Sequence, residues 1–343
     1  MSALVIGAAG PGVTLQDAGR RGSLRFGVTP AGPMDERAFA AANLAVGAAP
    51  GAAAIEVSLG GLELTAAGET IGLAIAGGEF DIRLDGVMLP AACALALEPG
   101  ARLTIRAGRG GAWCYVAVAG RIDLPAALGS LATHTRSRMG GVAGRGLRAG
   151  DSLPLADLAS PPRELLSIEA SWLAPGGEPI RALLGPQADY FTEGAIGEFL
   201  SARWRLSPRS DRMAYRLEGP RLAHAKGHDI VSDGVALGAI QVPGDGAPLV
   251  LMADRQPTGG YPKIANVIGA DIGRLAQRRP GEGFSFRAVS IEEAVAARRA
   301  SSEAIAAGLR LRPLGGELST ELLLSANLIG GVADAYRPLS ESD

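Results

Sequence analysis

Between Ile55 and Ala119 the chain is cut into short apolar runs by glycines and charged residues, and this spacing constrains the fold more than any other feature. I-E-V-S-L, L-E-L-T-A, T-I-G-L-A-I-A and E-F-D-I-R-L-D-G follow one another with Gly-Gly or Gly-Glu steps between them. In the last run Phe80, Ile82 and Leu84 alternate with Glu79, Asp81 and Arg83. A period of two sends successive side chains to opposite faces, so the run reads as a half-buried antiparallel strand. Further strands are expected at 94–97, 102–106 and 112–119. Many short strands at close spacing predict a barrel or a sandwich. The 49 glycines and 22 prolines supply the turns, and the 4% aromatic share leaves a core of small aliphatic side chains.

Two helical stretches interrupt this pattern. One runs over 35–46, with Asp35 capping or leading it, and the other over 291–307, ending before Gly308. Ser-Pro-Pro within 157–163 reads as a linker, and a second β-rich half follows. The expected organisation is an N-terminal β domain over 1–160, a C-terminal β domain over 164–290, and a helical tail over 291–343 that includes T-E-L-L-L-S-A-N-L-I.

Charge removes several classes of function. The 33 Lys and Arg residues nearly cancel the 35 Asp and Glu residues, leaving a formal charge of -2. Neither a nucleic-acid surface nor a polybasic membrane patch fits that balance. The N-terminus lacks the basic lead and apolar stretch of a signal peptide, and the uncharged run 38–55 is too broken and too alanine-rich to span a bilayer. Cys93 and Cys114 lie in apolar runs and read as buried reduced thiols, so the expected location is the cytoplasm.

The usual catalytic signatures fail. Neither lysine, Lys226 nor Lys263, is followed by the Ser or Thr of a phosphate loop, and there is no G-x-S-x-G elbow. Glycine-rich 140–146 follows no clear βα pattern. His224 and His228 are spaced i, i+4, but Gly227 weakens any helix that would align them for a metal, and exposed loop histidines are the better reading. No metal site is expected.

Polar residues are dense in three segments instead. T-L-Q-D-A-G-R at 14–20 and G-V-T-P-A-G-P-M-D at 27–35 put Asp17, Arg20 and Asp35 on glycine-punctuated backbone, as a ligand- or partner-lining pair of loops or as self-capping turns. In R-S-D-R-M-A-Y-R-L-E-G, Arg209, Asp211 and Arg212 form either a carboxylate- or phosphate-binding cluster or a structural ion pair. The richest segment, 229–265, carries Asp233, Gln241, Asp245, Asp254, Gln256, Thr258, Tyr261 and Lys263 at strand ends or in Gly-Pro turns. Only two of the basic residues are lysines, so the placing of Lys263 after T-G-G-Y-P marks it as a point-charge clamp or, if buried, an acid or base.

These segments resemble the biotin-dependent carboxyltransferase family, which includes allophanate hydrolase subunit 2, the KipA-like proteins and the C subunit of ATP-dependent 5-oxoprolinases. The resemblance rests on the 14–20 and 27–35 motifs with A-N-L-A-V-G, on A-I-E-V-S-L-G-G, on S-D-R-M-A-Y-R-L-E-G-P, and on I-V-S-D-G through T-G-G-Y-P-K-I-A. It implies a mainly β fold of two cyclophilin-like β-barrel domains with a few short helices. It implies a C subunit that works with A and KipI-like B subunits to cleave 5-oxo-L-proline to L-glutamate with ATP hydrolysis. The alternatives are the carboxyltransferase of a urea- or allophanate-type biotin enzyme, and a KipA-like module that binds a KipI-like kinase inhibitor. On the oxoprolinase reading Lys263, Tyr261, Asp254 and Gln256 are the expected catalytic residues of one shared cleft. Arg209, Asp211, Arg212, Asp233, Gln241, Thr258, Gly259 and Gly260 would hold substrate or nucleotide, and Asp17, Arg20, Met34, Asp35 and Asn43 would line the cleft or dock a partner. ATP with Mg2+, shared with the partner subunits, is the expected cofactor, with no covalent biotin in this chain.

Overall fold

The alternation at Phe80, Ile82 and Leu84 is realised in the strand Ile71–Leu84, where Phe80 and Ile82 are buried and their polar neighbours are more exposed. The computed structural model describes residues 2–173, 177 and 179–314; the 315–343 part of the expected tail, with its T-E-L-L-L-S-A-N-L-I pattern, lies outside them. The described chain is mainly β. A 12-stranded sheet wraps almost closed on itself, and an 8-stranded sheet and a small two-stranded ribbon accompany it.

The first sheet is organised by the strand Arg102–Val118, longer than the two runs read from the sequence. Its first half pairs with Leu62–Ala67 and its second half with Ala54–Ser58, while Ile71–Leu84 runs along its other edge. The register slips between Gly77 and Asp81, and bulges of this kind bend a sheet and re-aim its side chains. Gly77 sits at a φ of 147°, and a Cβ there would lie 2.5 Å from the Cys114 Cα, so only glycine allows the approach. Leu4, Leu15, Val57, Leu73, Leu103 and Val116 fill the space the sheet encloses. Cys93 and Cys114 are buried free thiols in this core, and burial lifts the Cys93 thiol to about 12.

The helix Glu36–Ala45 begins where the sequence places it. Asp35 accepts from the backbone N–H groups of Arg37 and Ala38, a cap worth about 1 kcal/mol. Its run of alanines packs closely against the first sheet, among Tyr115, Ala74 and Ala76. The helix Ile291–Ala306 opens on a full capping box between Ser290 and Glu293.

The strand Leu166–Glu169 pairs with Cys93–Leu97, so the chain leaves the first sheet after Glu169. It returns at Arg310–Pro313, which pairs with Leu166–Glu169. Everything in the second sheet, from Ile180–Leu184 to Phe286–Ala288, lies between these two points.

Asp271 ties the short helix Ile272–Ala276 to this second sheet. Its side chain is fully buried and accepts from the backbone N–H, Nε and Nη2 of Arg181 at 2.8, 3.0 and 2.7 Å, with Arg274 at 3.0 Å. Burial alone would raise its pKa, but the Arg181 hydrogen bonds and the two guanidinium charges hold it below the usual aspartate value. The unfolded chain therefore takes up this proton first as pH falls. The stabilisation is complete above about pH 4 and is lost as pH drops through the folded-state pKa. Asp271→Asn is expected to cost about 2–4 kcal/mol at neutral pH and to flatten the acid limb of a melting-temperature profile below about pH 4. An unchanged acid limb would show that another carboxylate governs it.

Candidate active site

A cleft of about 610 Å3 opens between the two sheets. The first sheet contributes Thr14, Ser58 and Trp113 to its walls, and the second contributes Leu206, Tyr215, Arg212 and Asp254. Trp113 Nε1 donates to the Tyr215 hydroxyl at 2.9 Å, which donates to the Ala276 carbonyl at 2.8 Å. That chain of bonds fixes the two rings across the junction.

Arg212 lies at the base of the cleft and is 8% exposed. Its Nε and Nη2 donate to the two Asp254 oxygens at 3.0 and 2.8 Å, Nη2 also reaches the Gly32 carbonyl at 2.8 Å, and Nη1 donates to Glu56. Glu56 is fully buried on the strand Ala54–Ser58, and its Oε2 accepts from the Met34 N–H and the Tyr115 hydroxyl, each at 2.8 Å. The Tyr115 oxygen in turn accepts from the Asp35 N–H at 2.8 Å. Burial opposes the charge on Arg212, yet Asp254 and Glu56 outweigh it and hold the guanidinium pKa above its ordinary value. Burial also lifts Glu56 and Tyr115, with Arg212 the main influence in the opposite direction at Glu56. One guanidinium thus joins the two sheets and the loop 27–35.

A second polar group forms around Lys263, which is 3% exposed. Its ammonium pairs with Asp233 at 2.9 Å, and its backbone N–H donates to Gln187 Oε1 at 3.2 Å. The Lys263 hydrogen bond, chiefly, holds the Asp233 carboxyl below its ordinary pKa. Asp233–Gly234 and Thr258–Gly259 form the two-stranded ribbon beside it. Gln241, directly across the sheet from Lys263, is fully buried, and its Oε1 has no partner.

The expected single cleft is therefore two places. Arg212, Asp254 and Asp211 line the 610 Å3 cleft, whereas Lys263, Asp233 and Tyr261 do not. The cause is strand pairing: Lys263 opens the strand Lys263–Val267 and sits across from Gln241, which places it with the ribbon. Thr258, Gly259, Gly260 and the half-exposed Tyr261 stay with it, while the Gln256 Oε1 is buried without a partner. Asp211 caps its own turn at the Met213 and Ala214 N–H groups, and Arg209 borders a separate depression of about 230 Å3. Asp17 and Arg20 bind the segment 127–132 instead, Asp17 through the Ser130 hydroxyl and the Leu131 N–H, Arg20 through the Ala127 and Ser130 carbonyls. Met34 is buried with only its N–H engaged at Glu56, and Asn43 donates to the Ala52 carbonyl at 3.0 Å. Asp35 accepts from Gln277 at 2.8 Å at the sheet junction. Glu56 is not among the residues expected from the sequence, although a lone carboxylate in the apolar run A-A-I-E-V-S-L signals a buried partner; Trp113, Tyr215 and Arg278 carry no such signal.

His134 is buried, with Nε2 3.4 Å from the Asp254 carbonyl, and half-buried His224 lies against Phe191, so only His228 is an exposed loop histidine. Among the described residues no three His, Cys, Asp or Glu side chains gather to hold a metal, and no helix is long and apolar enough to cross a membrane. The residues expected to bind a triphosphate do not fit one as they stand. The Lys263 ammonium already faces a carboxylate, and four of the five Arg212 N–H donors are engaged by Glu56, Asp254 and Gly32.

Residues 26–288 match the family model of the carboxyltransferase domain, subdomain A and B. The chain is 39% identical to the C subunit of the 5-oxoprolinase of Escherichia coli over 293 residues, covering 85% of this chain and 93% of that protein. It is 38% identical to the C subunit of the 5-oxoprolinase of Haemophilus influenzae, covering 83% and 91%. Among solved structures, the K. lactis urea amidolyase superposes with a TM-score of 0.82 at 28% identity, over 88% of this chain and 20% of that much longer one.

Proposed function

The chain belongs to the family of the carboxyltransferase domain, subdomain A and B, and from that membership we propose that it is the C subunit of a 5-oxoprolinase. The observation that carries this reading is the match to the E. coli C subunit, which spans 93% of that protein at 39% identity. On this reading the chain works in the cytoplasm with A and KipI-like B subunits, and the assembly hydrolyses the lactam of 5-oxo-L-proline to L-glutamate at the expense of ATP. The intersheet cleft takes the organic substrate. Its volume of about 610 Å3 lies within the range usual for small-molecule sites, and its rigid Arg212 base supports placing a small ring. ATP and Mg2+ are assigned to the assembled enzyme and its partner subunits, since Lys263 and Arg212 of this chain are already paired with their own carboxylates.

The test is reconstitution with the A and B subunits and measurement of glutamate released from 5-oxoproline. Turnover is expected only with all three subunits and ATP. Turnover without this chain, or none with the full set, overturns the reading. The K. lactis superposition favours one second reading, carboxyl transfer to urea. It predicts urea-dependent turnover with a biotin carboxylase and a biotinyl carrier in place of the A subunit.

A further inference from the structure

Arg278 is the guanidinium in the intersheet cleft that the fold leaves unanswered. It lines the 610 Å3 cleft and also a smaller cavity of about 340 Å3 on the other side of the junction. Its side chain makes no hydrogen bond or ion pair with any described residue, and its Nε is buried without a partner. An unsatisfied buried donor is rare and costly in a native structure, and a ligand is one of the few ways to answer it.

The backbone at this point is held on both sides. Gln277 Oε1 accepts from the Ala112 and Trp113 N–H groups at 2.9 and 3.1 Å, and Arg279 Nε donates to the Gly111 carbonyl at 2.7 Å. Arg278 is therefore anchored at the junction. The other charges of the cleft are already matched: Arg212 by Glu56 and Asp254, and Arg136 by Asp211 at 3.6 Å. Arg278 adds a positive charge with no answering carboxylate. On its other side the 340 Å3 cavity is lined by Asp35, Glu36, Glu79 and Glu282 together with Arg37 and Arg274, a mixed set of charges with no excess of positive charge.

We propose that Arg278 binds the carboxylate of the substrate in the intersheet cleft, so that the site selects a small organic acid over a neutral amide such as urea. A guanidinium fork matches the two oxygens of a carboxylate, and a group that hydrogen-bonds a charged partner discriminates strongly against an analogue lacking it. The proposal rests on the oxoprolinase reading for the identity of the acid, 5-oxoproline, and on the unanswered guanidinium for the subsite itself.

Calorimetric titration of the chain, alone and with its partner subunits, uses 5-oxoproline and its carboxamide as probes. The acid is expected to bind more tightly than the carboxamide by roughly ten- to a hundredfold, the span of one charged hydrogen-bonding contact. Arg278→Gln should abolish that preference at an unchanged melting temperature, and Arg278→Lys should restore part of it. In the reconstituted assay the same Gln variant raises KM for 5-oxoproline more than it lowers kcat. Equal binding of acid and carboxamide, binding of neither, or a preference that survives Arg278→Gln overturns the proposal. The two readings fail separately. Turnover that is indifferent to Arg278 removes the subsite and leaves the oxoprolinase, whereas acid-selective binding without turnover removes the oxoprolinase and leaves the subsite.

Discussion

Arg212→Met is expected to destabilise the protein by about 3–5 kcal/mol, the largest effect of any single substitution considered, because it strands two buried carboxylates. Glu56 is fully buried and Asp254 is 5% exposed, and both depend on the same guanidinium. Without it each must take up a proton or remain as an uncompensated charge in a low-dielectric interior. Arg212→Lys should recover little, since an ammonium cannot serve Asp254 with two parallel N–H groups while also reaching Glu56 and the Gly32 carbonyl. Adding Glu56→Gln and Asp254→Asn to Arg212→Met removes the stranded charges and should return a substantial part of the loss. Melting temperatures of the single and triple variants decide it. A loss below about 1 kcal/mol in the single variant would show that the carboxylates find water or other donors when the arginine is removed.

Lys263→Met is expected to do the opposite, leaving stability nearly intact while lowering turnover of the reconstituted enzyme by at least about a hundredfold, the scale of losing one preorganised charged donor. The ion pair is lopsided. The lysine side chain is 4% exposed and that of Asp233 54%, so deleting the lysine returns a carboxylate to water, while methionine keeps the buried stem packed. The stability change should stay within about 1 kcal/mol. Asp233→Asn is the informative companion, because it leaves an ammonium in a buried position and should cost more stability than the lysine change. Full turnover in Lys263→Met would remove the ribbon-side group from the functional machinery and leave the intersheet cleft as the whole site.

The contrast between these two residues shows what was legible in the sequence. Local periodicity and local capping were readable because they depend on neighbours in the chain: alternation from Phe80 to Leu84 gave a strand, and Asp35 before a run of alanines gave a helix start. The union of the 102–106 and 112–119 runs into one strand was not readable, since the glycines at 108, 110 and 111 look like a turn and act as a bend at which paired strands approach closely. The density of polar residues around 229–265 pointed to Lys263 and Asp254 together. Pairing across the sheet then separated them, because a strand's register decides which residues meet and the sequence does not display register. Glu56 and Arg212 stand 156 positions apart, and each has an ordinary local reading on its own. Arg278, in the string Q-R-R-P, looks like a surface basic pair until the junction closes around it.

The return of the strand Arg310–Pro313 to the first sheet has a mechanical consequence. Tension applied between the beginning of the strand Ala3–Ala9 and the end of Arg310–Pro313 runs through the first sheet, where both strands are paired. The second sheet is spliced in as a side loop and lies off the load line. Under such tension the outermost strand at the far end, held only along Leu166–Glu169, should peel away first. Its release would let the stretch that carries Arg212 and Lys263 come under load only after the first sheet had begun to open.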